Sequence, residues 1–169
     1  DDHARNANGK PFFVQCSFPD PHHPFTPPGD YYDMYDPADV GLPDTFGTDG
    51  RELVPHLRRL VVGRGHQPGH MSPWSPDEDQ FREAAAAEYG AITLIDDAIG
   101  RVLRTLADVG LAGSTIVVLT ADHGDMFGDH GLMLKGAMHY EACTRVPLVV
   151  AGPGIPAGRC ARLASSIDI

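Results

Sequence analysis

The sequence predicts an α/β fold with a mostly parallel sheet flanked by helices. Two apolar runs without alternation, at residues 115–120 and 146–151, are typical of strands that are buried on both faces. A third short apolar run at residues 11–18 predicts another buried strand, and a long amphipathic helical pattern lies at residues 76–109. Strands that alternate with a helix in this order favour a parallel sheet.

The first predicted strand leads into a long irregular segment, residues 19–74. Proline and aspartate at its start favour a turn, and a short helix is expected near Glu52 to Leu60. Irregular segments of this length are usually functional or disordered, and this one follows a candidate site, so it is a candidate for enclosing a substrate. Its aromatic residues either line a pocket or, as we expect, pin the loop to the body of the protein: Tyr31, Tyr32, Tyr35, Phe46 and Trp74.

The helix predicted at residues 76–109 has both a start signal and a stop signal. Ser75 is the predicted N-cap, Glu78 completes a capping box, and Gly110 follows the last helical residue. Apolar residues recur at steps of three and four and form one stripe that is expected to pack on the sheet: Ile92, Ile95, Ile99, Val102, Leu106 and Val109.

Composition and charge exclude several classes of partner. A net charge of −10 over 169 residues argues against nucleic acid or an anionic membrane surface. No apolar run approaches the roughly 20 residues that span a bilayer. The three cysteines are too widely spaced for a disulfide framework, and Cys16 and Cys143 are expected to be buried thiols. Oligomeric state and location, whether cytoplasmic, periplasmic or secreted, stay open.

Residues suited to metal binding follow the predicted strand at 115–120 directly. Asp122 and His123 stand in the turn after this strand, and ligands in open α/β sheets bind beyond the carboxyl ends of strands. A carboxylate and an adjacent imidazole can bind one divalent ion. An ordinary turn can have the same composition, so this turn alone leaves both interpretations open.

Further sequence blocks stand in order around this turn. Pro-His-His-Pro-Phe at 21–25 precedes it, and Lys135, Tyr140-Glu141 and Arg-Val-Pro at 145–147 follow it. Together with Ala-Asp-His-Gly at 121–124, these blocks resemble the sulfatase family of the alkaline phosphatase superfamily. The resemblance implies that residues 1–169 are part of a sulfatase-like catalytic domain, with 115–151 bearing the metal and anion site, and that the full-length protein hydrolyses sulfate esters.

The resemblance implies roles for four residues. Asp122 corresponds to a metal ligand, and His123 to a neighbouring residue that binds the metal or the sulfate. His22 would contact the sulfate or protonate the leaving alcohol, with a one-residue ambiguity toward His23, and a histidine pKa near about 6.5 suits that task. Lys135 would bind sulfate oxygens as a point charge. One divalent cation is implied, calcium first, with magnesium, manganese or zinc open.

The nucleophile of the family is expected outside this chain. Sulfatases use a formylglycine that is made from Cys or Ser in a Cys/Ser-x-Pro/Ala-x-Arg motif, and none of the three cysteines stands in one. We therefore expect this sequence to be an internal portion of the catalytic domain that is inactive by itself.

Three alternative functions stay open. A phosphonate monoester or phosphodiester hydrolase of the same superfamily is possible because sulfuryl and phosphoryl groups share charge and shape. A two-metal phosphotransfer enzyme is disfavoured by the block at 135–147, and a non-catalytic module is the third alternative. The expected substrate is a small sulfate, phosphonate or phosphate ester whose alcohol the sequence does not identify. Other polar residues near the turn are expected to order the structure: Asp125, Asp129, His130, and the pair Glu141 and Arg145.

Overall fold

A computed structural model of the chain describes residues 10–48, 53–66, 73–136 and 138–169. Within these ranges the longer elements are helices α1 (Pro55–Val62), α2 (Glu78–Asp108) and α3 (Glu141–Thr144), and strands β1 (Val117–Thr120) and β2 (Leu148–Ala151). Short 3-10 helices lie at Gly29–Tyr31, Pro37–Asp39, Ala112–Ser114, Asp129–Gly131 and Ser166–Asp168. None of the described helices is both long enough and apolar enough to cross a membrane.

The sheet differs from the sequence prediction in its pairing and its burial. Strands β1 and β2 pair antiparallel, with Val117 opposite Ala151, so a mostly parallel sheet is not confirmed by the described strands. The strand predicted for residues 11–18 is wrong, since this segment has no strand partner in the described chain and Phe13 is 92% exposed. Cys16 is accordingly exposed rather than buried, whereas Cys143 is buried as predicted. An apolar run becomes a buried strand only where neighbouring elements pair with it and cover it.

Helix α2 confirms the long predicted helix but starts two residues later than expected. The N-cap is Asp77, whose side chain accepts a hydrogen bond from the Gln80 backbone N–H at 2.9 Å. In return, the Gln80 side-chain oxygen accepts the Asp77 backbone N–H at 3.0 Å. The predicted cap, Ser75, is instead fully buried. Helix α1 confirms the predicted short helix, although Glu52 lies outside the described residues.

The principal core packs the N-terminal half of α2 against two loops. Its buried members come from residues 40–46, α2 and the loop after β1: Val40, Phe46, Phe81, Ala85, Ala86, Met133 and Leu134. The predicted apolar stripe of α2 is not this buried face, because Ile92 and Val102 are both nearly half exposed. Strand residues Val118 and Leu119 are about two-fifths exposed as well, so their predicted full burial is also wrong.

Aromatic residues pin the long loop to α2, as predicted. Tyr31 donates a hydrogen bond to Asp97 at 2.7 Å, and the Phe46 and Phe81 rings pack with centroids 5.2 Å apart. The loop approaches the helix so closely at Gly90 that a Cβ there would lie 1.9 Å from the Tyr31 carbonyl oxygen. Glycine at this position therefore allows the loop to lie against the helix.

Candidate anion-binding site

The loop that carries Lys135 is held by backbone hydrogen bonds and buried side chains. The Met126 N–H donates to the Leu134 carbonyl at 3.1 Å, and the Met133 N–H donates to the Trp74 carbonyl at 2.8 Å. Met126, Leu132 and Met133 are almost fully buried. Lys135 therefore extends from a backbone that is anchored on both sides of the loop.

Lys135 forms an ion pair with Asp125 in a partly buried setting. The Lys135 Nζ lies 3.9 Å from Asp125 Oδ2, and the side chains are 22% and 19% exposed. The other carboxylate oxygen of Asp125 accepts the Phe127 N–H at 3.1 Å, which orients the carboxylate. A separation of 3.9 Å is too long for a direct hydrogen bond, so the ammonium keeps donors for another anion.

The histidine pair of the long loop lies beside this ion pair. The His22 and His23 rings stack with centroids 4.0 Å apart, and His22 Nδ1 donates to the His23 carbonyl at 2.7 Å. The pKa of His23 is lowered by burial, then by the neighbouring charges of His22 and Lys135, while Asp125 opposes them. His22, the predicted site residue, is exposed, and the charge of Lys135 is one of the causes that lower the pKa of His23.

Asp122 and His123 lie just beyond the end of β1, as predicted. Asp122 accepts the His123 N–H at 2.9 Å, and its second oxygen lies 3.6 Å from His123 Nε2. The turn packs on α3, where the Gly124 N–H donates to the Cys143 carbonyl at 2.8 Å. A Cβ on Gly124 would lie 2.0 Å from the Ala142 carbonyl oxygen. This close approach fixes the turn that presents Asp122.

The turn offers two donors that suit a divalent cation, one carboxylate and one imidazole, and both side chains are accessible. Within the described ranges, no group of three or more His, Cys, Asp or Glu side chains is arranged to hold a metal ion. Asp122 is paired with His123 and forms no ion pair with Lys135 in this part of the chain. The Asp122–His123 turn and the Lys135–Asp125 pair are close in the sequence, since Asp125 follows Asp122 by three residues.

The remaining polar residues near the turn order the loop, as predicted. Asp129 accepts a hydrogen bond from the Thr45 hydroxyl, and the His130 N–H donates to the same hydroxyl oxygen at 3.0 Å. Glu141 and Arg145 form an exposed ion pair at 3.7 Å. The two hydrogen bonds of Thr45 connect the long loop to the segment that carries Lys135.

One residue of this neighbourhood was not predicted from the sequence. Glu88 on α2 is largely buried, and burial, followed by the charge of Asp125, raises its pKa to about 8, while Lys135 acts in the opposite direction. A signal for it exists in the sequence, because Glu88 follows Phe81 and Ala85 by seven and three residues. That spacing places a carboxyl group on the buried face of the helix.

Comparison with known proteins decides the family. The family model described as Sulfatase matches residues 2–169. The chain belongs to the sulfatase family. The resemblance that the sequence blocks indicate is therefore confirmed, and membership of the alkaline phosphatase superfamily is consistent with this family.

Individual sulfatases and solved structures agree with this assignment. The chain is 37% identical over 150 residues to an arylsulfatase of Clostridium perfringens, covering 89% of this chain and 29% of the relative. It is 28% identical to a choline-sulfatase of Rhizobium meliloti over 100% of this chain and 31% of the relative. A phosphonate monoester hydrolase of Agrobacterium radiobacter has a similar structure, with TM-score 0.71 and 28% identity over 90% of this chain and 32% of that chain. The sequence thus spans about a third of the length of these proteins and has an alkaline phosphatase-like fold.

Proposed function

We propose that this chain is the part of a sulfuric ester hydrolase that binds the sulfate group and supplies two ligands to a divalent cation. The observation that carries the proposal is the Lys135–Asp125 pair, which is partly buried and lies beside the histidine pair of the long loop. Membership of the sulfatase family supports sulfate as the anion.

Each side chain has a task that follows from its chemistry. The Lys135 ammonium binds a sulfate oxygen, and its partial burial strengthens that attraction relative to bulk water. His22 or His23 donates a proton to the leaving alcohol oxygen, a step for which imidazole is suited. Asp125 holds Lys135 in the loop without blocking it, because the two groups lie 3.9 Å apart.

The family implies a divalent cation, and Asp122 and His123 are the residues of this chain that would hold it. We propose calcium, because the carboxylate is an oxygen ligand that hard cations prefer. When bound, the cation would stabilise negative charge on the sulfuryl oxygens. Its other ligands, and a formylglycine nucleophile, would come from outside this sequence.

The exposed apolar surface of the sheet supports a larger catalytic domain. Val118 and Val150 on neighbouring strands are each 41% exposed, and Ile116 next to them is 57% exposed. Apolar strand residues in a mostly parallel sheet are normally covered on both faces. We propose that the complete domain contains such a sheet and covers these residues.

The proposal is tested by steady-state turnover of an aryl sulfate by the full-length gene product. Lys135→Ala should lower kcat/KM by about a hundredfold or more, as loss of a preorganised charge does. Lys10→Ala is the matched control, since Lys10 is the other lysine of the sequence and is exposed. Near-normal turnover by Lys135→Ala would remove Lys135 from the site.

The same assay identifies which of the two histidines, His22 or His23, donates the proton to the leaving alcohol. Replacing the proton donor by alanine should lower turnover by about a hundredfold, and more steeply for esters with poor leaving groups. His22→Ala and His23→Ala are compared with His56→Ala, an exposed histidine of α1. If neither His22 nor His23 affects turnover, neither donates the proton.

Phosphonate ester hydrolysis is the second candidate. The observation in its favour is the similarity to the phosphonate monoester hydrolase of Agrobacterium radiobacter, with TM-score 0.71. Comparing kcat/KM for an aryl sulfate with that for an aryl phosphonate monoester separates the two functions. A clear preference for the phosphonate would replace sulfate ester hydrolysis as the primary activity.

A further inference from the structure

Glu88 is an acidic residue in the interior that the proposed reaction does not use. It lies on the face of α2 that carries the buried residues Phe81 and Ala85. Its Oε2 atom is enclosed and has no hydrogen-bonding partner among the described residues. A carboxylate without a partner in such a place is costly, so the environment favours the neutral acid.

Glu88 lies one helical turn from a residue that packs against the loop carrying Lys135, since Ala85 shares a core cluster with Met133 and Leu134. The charges that act on Glu88 are those of Asp125 and Lys135, which both lie in the loop after β1. The same two charges act on His23 from the long loop and on Cys143 from α3. The charges of the Lys135–Asp125 pair therefore reach groups on three separate segments.

The protonation state of Glu88 determines how much of that ammonium charge is available to an anion. With Glu88 neutral, the ion-pair partner that Lys135 has among the described residues is Asp125, at 3.9 Å. With Glu88 ionised, the ammonium would lie near two carboxylates, and an arriving sulfate would meet two negative charges. Like charges repel each other more strongly in a partly buried site than in bulk water.

We propose that Glu88 is a positioning residue that, as a neutral acid, keeps Lys135 available to the substrate anion and, as a carboxylate, competes with that anion. This inference rests on the proposed function of the Lys135 site. If Glu88 has this role, affinity for the substrate anion declines in alkaline solution as Glu88 ionises, although Glu88 does not itself contact the substrate.

The test is the pH dependence of KM for an aryl sulfate in the full-length gene product. Between about pH 7 and about pH 9, the wild-type KM should rise about fivefold as Glu88, with its pKa of about 8, ionises. One pKa unit of coupling between Glu88 and the anion sets a limit of about tenfold at higher pH. kcat should change less. Glu88→Gln, which keeps the shape of the neutral acid, should remove this rise and retain the wild-type KM of pH 7.

Glu83→Gln is the matched control, because Glu83 is an exposed glutamate of the same helix. It should reproduce the wild-type profile. A KM that rises equally in wild type and Glu88→Gln would overturn the inference, as would a wild-type KM that stays flat from about pH 7 to about pH 9. The second outcome needs no variant, so a folding defect in Glu88→Gln does not prevent a decision.

A binding measurement separates failure of this inference from failure of the proposed function. If the wild-type protein hydrolyses no sulfate or phosphonate ester, the proposed function fails. Inorganic sulfate should still raise the melting temperature of the wild-type protein near pH 7 and have little effect near pH 9, whereas in Glu88→Gln the increase should persist at both values. Equal sulfate effects at both pH values in the wild type would overturn the role of Glu88.

Discussion

Ionisation of Glu88 should make the stability of this protein fall with rising pH. Its pKa is about 8 in the folded state and 4.5 for an unperturbed glutamate, so the folded protein retains a proton that the unfolded chain releases between these values. Protonation linkage then lowers the free energy of unfolding as pH rises through this window, with no further loss above the folded pKa.

The magnitude follows from the same shift. One pKa unit corresponds to about 1.4 kcal/mol, so between about pH 5 and about pH 8 the wild type should lose on the order of 3 kcal/mol more stability than Glu88→Gln. A glutamine side chain does not ionise, and titrating groups that lie far from Glu88 contribute equally to the two proteins and cancel in the difference.

The assay is urea unfolding of the full-length gene product and its Glu88→Gln variant at both pH values, followed by circular dichroism. Linear extrapolation provides the free energy of unfolding in water for each sample. The variant amide could cost some stability at every pH, and only the change between the two pH values is compared. Parallel losses in wild type and variant would refute the argument that the interior raises the Glu88 pKa.

Three further predictions concern the turn after β1 and the start of α2. Asp122→Ala should weaken calcium binding by about a hundredfold or more by isothermal titration, because it removes a ligand; unchanged affinity would exclude Asp122 from the metal site. Gly124→Ala should lower the free energy of unfolding by about 2 kcal/mol or more, because its Cβ would overlap the α3 backbone, whereas Gly113→Ala, with open space around it, should have little effect. Equal effects of the two substitutions would contradict the close approach. Asp77→Ala should cost about 1 kcal/mol in the same measurement by removing the N-cap of α2, and no loss would show that another residue caps the helix.

Local patterns in the sequence predicted the elements that depend on neighbouring residues. The helical period and the stop at Gly110 located α2, and an apolar run followed by Asp122 and His123 located β1 and the turn beyond it. The sequence predicts Ser75 as the N-cap, whereas the structure has Asp77; both positions are followed three residues later by a Glu or Gln, which is the spacing of a capping box. Sequence spacing does not distinguish them, whereas burial of Ser75 does.

Predictions failed where the outcome depended on distant segments. The run at 11–18 has the composition of a strand, but strand formation requires a partner and the described residues provide none. The apolar stripe predicts the buried face of α2, but the helix buries Phe81 and Ala85 instead, because the loops that cover the helix pack there.

The sequence by itself determined the family, the extent of the long helix, and the order of residues that can bind a metal and an anion. These properties reside in short motifs and in local periodicity, which do not require knowledge of contacts. Only the tertiary structure decided that Asp125 is the partner of Lys135, that His23 titrates under their influence, and that Glu88 of α2 faces the same pair. Charge interactions and desolvation depend on distance in space, and residues that lie 37 or 47 positions apart in the chain become neighbours only when it folds.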